Sequence, residues 1–376
     1  MLYWLHQFSD VFSPLRIFRY ITFRTVMAAG TAFILSLIIG PWLIEKLRAV
    51  NFGEQREDER VGELDRSAKV GTPTMGGLLI LFTTAAATVM WSEPGNFYVL
   101  CALTTFGFMG TLGLVDDYLK IKRHKGLSPR VKLTGQCLWT GVVLFALLSN
   151  PETFLRTQEL MVPFFKEPVI ASMGVIGTFV FLILVLVGAS NAVNLTDGLD
   201  GLAIGCSNSA VAAYLAMAYV AGHFTFAEYL QVPFVRGCGE LSVFCGALLG
   251  AGLGFLWFNC HPAKVFMGDT GSLAIGGAVA VVAILIKQEL LLILVGGVFV
   301  TEAASVLIQV GYFKLTRKMY GEGRRVFLNS PLHHHFEYLA IKRGNSVEAY
   351  ENRITIRFWI LSIIFALIGV ASLKIR

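Results

Sequence analysis

Residues 177–201 read GTFVFLILVLVGASNAVNLTDGLDG, an uncharged apolar run that ends in two asparagines, a threonine and two aspartates. No lysine or arginine balances those aspartates within the stretch. About 20 apolar residues in helical form match the hydrocarbon thickness of a bilayer, so the first half predicts a membrane-crossing helix. Polar groups at the edge of such a helix are costly unless they face a cavity or a partner, which makes the second half a candidate site.

The same pattern recurs outward from this stretch. Of the 376 residues, 55% are hydrophobic and 15% charged, whereas a soluble domain carries roughly 25% charge. Mean hydropathy is +0.66. Apolar stretches at 21–44, 74–91, 97–115, 133–149, 172–190, 201–221, 241–258, 272–286, 290–312 and 356–372 predict an all-α polytopic membrane protein with ten transmembrane helices. No internal repeat or linker is visible, so 1–376 reads as a single integral-membrane domain. Residues 1–20, with Trp4, Phe8, Phe12, Phe18 and Tyr20, predict an interfacial N-terminal segment. The first apolar stretch is too long for a removable signal and lacks a small-residue cleavage site.

An even number of spans puts both termini on one side. Most of the 31 lysines and arginines lie in the connections 45–73, 116–132 and 313–355, which share the other side. That excess marks the cytoplasm, so both termini are expected to be periplasmic. The same bias accounts for the net charge of +6 without nucleic acid as a partner. Six cysteines, with no C-x-x-C pair, read as small core residues.

Every constellation that carries candidate chemistry falls on the expected cytoplasmic face. In GLVDDYLKIKRHKGLSPRVK (113–132), Asp116 and Asp117 precede Lys120, Lys125 and Lys132. Adjacent aspartates on a helix point about 100° apart. One can face a reaction centre while the other orients a lysine or a metal, or both are simply a charged stop at a helix end. In FNCHPAKVFMGDTGSLAIGG (258–277), Asp269 is either the N-cap of the next helix or a ligand for magnesium, which takes few carboxylates and keeps waters and phosphate oxygens. In NSPLHHHFEYLA (329–340), His333, His334 and His335 point in different directions and have no cysteine beside them, which favours phosphate contact over zinc. In the opening stretch, Asn191, Asn194 and Asp197 share one face if helical, and Gly198 breaks the pattern before Asp200. Glu302 and Gln309 lie inside the ninth span, where a charge is either functional or half of a buried pair. Carboxylates for a cation beside lysines and histidines for phosphate make a site for a metal-bound pyrophosphate.

GLVDDYLK, NAVNLTDGLDG, HPAKVFMGDTGS and PLHHHFE, in this order, resemble the polyprenyl-phosphate N-acetylhexosamine-1-phosphate transferase superfamily, from about Arg19 to the C-terminus. PLHHHFE and KVGTPTMGG (69–77) resemble the branch whose donor carries a muramoyl pentapeptide. The resemblance implies ten helices with periplasmic termini in the bacterial cytoplasmic (inner) membrane, an active site on the cytoplasmic face, a Mg2+ cofactor and a homodimer. It also implies UDP-MurNAc-pentapeptide as donor and undecaprenyl phosphate as acceptor. The products are lipid I and UMP, in the first membrane step of peptidoglycan synthesis.

On that resemblance Asp269, with Asp197 and Asp200, holds the magnesium. Asp116, supported by Asp117, readies the lipid phosphate as base or covalent nucleophile. Lys69, Lys120, Lys125, Lys132 and the run His333, His334, His335 meet phosphate oxygens. Asn191, Asn194, Asp197, Gly198 and Asp200 shape the nucleotide side, Asn259 and Phe266 contact uracil, and Gln309 joins the substrate pocket. Two other readings stand beside this one. A transferase of N-acetylglucosamine phosphate onto the same lipid differs only in its donor. A transporter would line charges through the midplane and show inverted repeats.

Overall fold

The computed structural model describes residues 1–50, 71–343 and 347–375. Two 3-10 turns, Leu2–Phe8 and Ser13–Arg19, lead into α1 (Ile21–Val50). There follow α2 (Gly77–Trp91), α3 (Phe97–Arg123), α4 (Pro129–Ser149), α5 (Gly174–Thr196) and α6 (Leu202–Ala221). The chain continues through α7 (Leu241–Asn259), α8 (Gly268–Leu285), α9 (Gly297–Tyr320), α10 (Leu332–Lys342) and α11 (Val347–Ser372). The β pairing among the described residues is one isolated bridge, Leu160 to Ile170.

Nine of these helices, among the described residues, are long and apolar enough to cross a membrane. The sequence reading expected ten. The difference is α2, apolar but only 15 residues long, which at 1.5 Å per residue spans about 22 Å against a hydrocarbon core of about 30 Å. The expected span over 290–312 is broken at Gly296 into a short helix, Leu291–Val295, and α9, which runs on past Lys314 to Tyr320. The six cysteines are free, and Cys260 is exposed rather than in the core.

The centre of the bundle is α8, in which every residue from Thr270 to Leu285 is buried. Lipid tails are as apolar as leucine, so burial alone does not draw membrane helices together; close approach of small residues does. Gly276 of α8 packs where a Cβ would meet the Ala189 carbonyl of α5 at 2.7 Å. The Gly246, Gly250, Gly254 stripe of α7, at four-residue spacing, lies against the Thr25 and Ala29 carbonyls and Ser36 of α1.

At one end of the bundle Arg24, 1% exposed, pairs with Glu240 through two bonds of 2.7 and 2.5 Å and also donates to the Trp91 carbonyl at 3.2 Å. The N-terminal segment closes this end, its terminal ammonium donating to the carbonyls of Val89 and Met90. The end of α3, the start of α4, the end of α5 and the start of α8 converge at the opposite end. There the ionisable motifs meet.

Candidate active site

Helix α3 stays helical through its two aspartates to Arg123, which fixes their directions. Asp116 and Asp117 are 1% and 2% exposed and turn to different partners. Asp117 serves the N-terminus of α8: its carboxylate accepts from the backbone N–H of Asp269 (3.2 Å) and Thr270 (2.9 Å) and from the Thr270 hydroxyl (2.8 Å). A helix N-terminus leaves several N–H groups without intrahelical partners and carries partial positive charge, so a carboxylate from a neighbouring helix satisfies both needs. Asp116 turns to the lysines. Its Oδ2 lies 2.6 Å from Lys120 Nζ and 3.2 Å from Lys132 Nζ, and its Oδ1 accepts from the Leu127 N–H at 2.7 Å.

Asp269 was expected as an N-cap or a metal ligand. Helix α8 begins at Gly268, so Asp269 lies in its first turn with its carboxylate directed into the cluster. Oδ1 receives Lys120 Nζ at 3.0 Å and Asn194 Nδ2 at 3.0 Å, while Oδ2 pairs with Lys132 Nζ. The backbone makes this possible at two glycines. Gly268 has φ +71, and a Cβ there would meet Asp117 Oδ2 at 2.5 Å. On α3, a Cβ at Gly113 would run into the Asp269 carbonyl, so α3 and α8 approach backbone to backbone just below the carboxylates.

The opening stretch supplies the third wall. Asn191 and Asn194 stay within α5, which ends at Thr196, and Asp197 is its C-cap. Asn194 Nδ2 also reaches Ser272 Oγ at 2.8 Å, and Asn191 Nδ2 donates to Gln136 Oε1 at 2.9 Å. Asp197 is half-buried; desolvation first, then the Asp269 and Asp117 carboxylates, push its carboxyl up to about 8.

Asp200, expected beside Asp269, faces elsewhere. It accepts from the Ala263 N–H (3.1 Å), lies 3.2 Å from His261 Nδ1, and forms with His261 and Glu351 a second group of possible metal ligands. Asn259, expected to touch uracil, is buried and used at both ends: Oδ1 accepts from Gly201 N at 3.1 Å and Nδ2 donates to the Val265 carbonyl at 2.8 Å. It ties the 260–266 loop to the 197–201 turn, leaving half-buried Phe266 as the aromatic face on that loop. Gln309 accepts from the N–H groups of Val326 and Phe327 and so anchors the loop before α10.

The three histidines have separate surroundings. His333 is 1% exposed, with Nδ1 3.1 Å from Glu302 Oε2. Burial lowers its pKa below the ordinary histidine value, against the opposing pull of Glu302. His333 is thus neutral near pH 7, and the cationic part of phosphate binding falls to Lys120 and Lys132. His334 Nδ1 lies 2.7 Å from Glu337 Oε2, and His335 Nδ1 accepts from the Leu328 N–H. Lys125 is exposed, and Lys69 lies outside the described residues.

Several functional groups were not picked out in the sequence. Gln136, Ser272 and Thr270 join the cluster, and Glu351 and His261 flank Asp200. Gln136 carried a signal, as a lone amide in the apolar stretch 133–149. His261 opens the HPAKVFMGDTGS motif, but its pairing with Asp200, like that of Glu351, is purely spatial.

One carboxylate oxygen from each of Asp116, Asp117 and Asp269 lies within 4.8 Å of the others. Three converging carboxylates suit a hard divalent cation, and the adjoining ammonium groups suit phosphate oxygens. A family model, glycosyl transferase family 4, matches residues 98–287, about half of the chain, and the chain belongs to that family. A second model, the phospho-N-acetylmuramoyl-pentapeptide-transferase signature 1, matches residues 69–81. Relatives of that name run the full length of the chain. The phospho-N-acetylmuramoyl-pentapeptide-transferase of Maridesulfovibrio salexigens is 48% identical, with 98% of each chain covered. That of Solidesulfovibrio magneticus is 50% identical over 97% of each, and that of Methylacidiphilum infernorum 47% identical over 100% of each.

Proposed function

We propose that this protein transfers phospho-MurNAc-pentapeptide from UDP-MurNAc-pentapeptide to undecaprenyl phosphate, forming lipid I and releasing UMP. The observation that carries the chemistry is the Asp116, Asp117, Asp269 cluster crossed by Lys120 and Lys132 at one end of a membrane bundle. A soluble nucleotide and a lipid phosphate can meet only at such a boundary. Full-length identity to the named transferases supports the pentapeptide donor.

Mg2+ fits the three carboxylates, with half-buried Asp197 beside them. Asp269 would be its principal ligand, and a bound divalent cation would supply Lewis-acid charge withdrawal at the donor pyrophosphate. The rest of the work is done by the chain. Lys120 and Lys132 reduce the repulsion between two phosphate groups, with the carboxylates beneath them fixing their positions. Asn194 and Asp117 hold Asp269 and the first turn of α8 in place. The lipid phosphate is largely ionised near neutral pH, so Asp116 serves it chiefly by orienting the lysines and secondarily as base.

The lysine-rich connections support a cytoplasmic position for this end. In this reading α2 also crosses, giving ten spans with both termini periplasmic in the bacterial cytoplasmic membrane. The test is UMP release by purified protein in detergent with undecaprenyl phosphate, Mg2+ and either UDP-MurNAc-pentapeptide or UDP-N-acetylglucosamine. Release with the first donor alone, abolished by a chelator, is expected. Release with the second alone would overturn the donor assignment and keep the chemistry.

A further inference from the structure

Glu302 is a carboxylate in the second turn of the membrane helix α9 and is fully buried. A charge in that position persists only with a partner. The partner is His333, twice over. Its backbone N–H, at the start of α10, donates to Glu302 Oε1 at 3.1 Å, and its Nδ1 lies 3.1 Å from Oε2. One carboxylate thus caps the N-terminus of α10 and grips the side chain of the same residue.

We propose that Glu302 is a positioning residue that holds His333 in the Nδ1–H form and presents Nε2 as a hydrogen-bond acceptor over Gly198. The inference rests on the transferase reading for its substrate and on geometry for everything else. An ionised carboxylate only accepts, so the shared proton sits on Nδ1, and in a neutral ring Nε2 is then a bare lone pair. That nitrogen is buried and has no hydrogen-bond partner. It is aimed at the turn following α5, where a Cβ at Gly198 would run into it. Gly198, with no side chain, lets the Asp197–Asp200 turn lie directly against Nε2, so a group reaches that nitrogen when the turn shifts aside. A group received there must be a donor, such as a substrate hydroxyl, amide N–H or protonated phosphate oxygen. A phosphate fully stripped of protons offers Nε2 nothing.

The test uses the full-length protein and Glu302→Gln. The amide keeps the shape and an acceptor oxygen for the His333 N–H, but its NH2 can donate to Nδ1 and drive the proton to Nε2. Histidine-selective 15N spectra, with His333 assigned by its loss in His333→Gln, should show Nδ1 protonated in the wild type and Nε2 protonated in Glu302→Gln. The kcat for UMP release should fall by about 10- to 100-fold, as when other orienting partners are lost. KM for the donor and the melting temperature should change little.

A purely structural strut would behave differently. It would lower the melting temperature and leave kcat per folded molecule and the tautomer unchanged, and that result overturns the proposal. Gly198→Ala checks the other side, with the same loss of kcat expected and Nδ1 still protonated. If the wild type shows the Nδ1–H signature but consumes no pentapeptide donor, the positioning role stands and the substrate reading falls. Turnover by a wild type whose His333 carries its proton on Nε2 sinks the positioning role alone.

Discussion

Lys132, in the first turn of α4, touches two carboxylates, Asp116 and Asp269, whereas Lys125, on the connection just before α4, is exposed. Lys132→Ala should therefore reduce kcat by about 100-fold, the loss expected for one preorganised charge-stabilising donor. Lys125→Ala should stay within about threefold, as expected of a solvated surface charge. UMP release by the two variants, side by side, checks the pair. His333 gives a prediction with a pH sign. Its folded pKa lies below its unfolded value of about 6.5, so the unfolded chain takes up the proton first as pH falls. The stability due to a neutral His333 is complete above that value and is lost as pH drops through it. The melting temperature should fall between pH 7 and pH 5, and His333→Gln should flatten that slope. Much of this chemistry was legible residue by residue: Asp116, Asp117, Asp269, Lys120 and Lys132 were all marked by charge at the ends of apolar runs. The direction each side chain takes was not, since Asp200 lies only three positions after Asp197 and yet turns to His261.

Helices bring the site together by approaching closely at α3 and α8, and Gly113 is the point of contact. Gly113→Ala should destabilise the protein by about 1–3 kcal/mol, the range for overpacking a close contact, and should reduce activity more than its effect on folding explains. Thermal unfolding in detergent and UMP release per folded molecule separate the two. The last helix also holds the site turn. Thr355 Oγ1 donates to the Asp200 carbonyl, Trp359 Nε1 to the Gly201 carbonyl at 3.0 Å and Ser362 Oγ to the Cys206 carbonyl at 3.0 Å. These donors share one face of α11, at four- and three-residue spacing. Trp359→Phe removes that donor while the Gly205 N–H still serves the Gly201 carbonyl, at a cost of about 0.5–1.5 kcal/mol. A raised donor KM with kcat within about threefold is the expected result, because the loss falls on nucleotide-side binding. The helices themselves were readable from hydropathy, but a α2 of 15 residues and the break at Gly296 were not. Local composition does not say where neighbouring backbone leaves room for a short or interrupted helix.

Across the whole bundle, charges are paired at both ends. Arg24 and Glu240 close the end away from the site, and Arg24→Ala leaves Glu240 buried and unpaired, at a cost of about 3–5 kcal/mol. The melting temperature should fall clearly while the donor KM in surviving protein stays unchanged. The proposed orientation is testable in intact cells. In a Cys260→Ser background, a membrane-impermeant thiol reagent should label Glu152→Cys, on the connection after α4, and spare Lys318→Cys at the end of α9. The reverse labelling would invert the topology.

The chain by itself determined that this is a helical membrane protein and which polar motifs stand out from it, because transfer free energies and helical periodicity act through neighbours in sequence. It also carried the family, through short motifs kept in order. Only the tertiary structure decided which carboxylates share a site. Asp117 meets Thr270 across 153 positions and Glu302 meets His333 across 31. Such pairings depend on how closely glycine-lined helices approach, a property of two surfaces together that no single stretch contains.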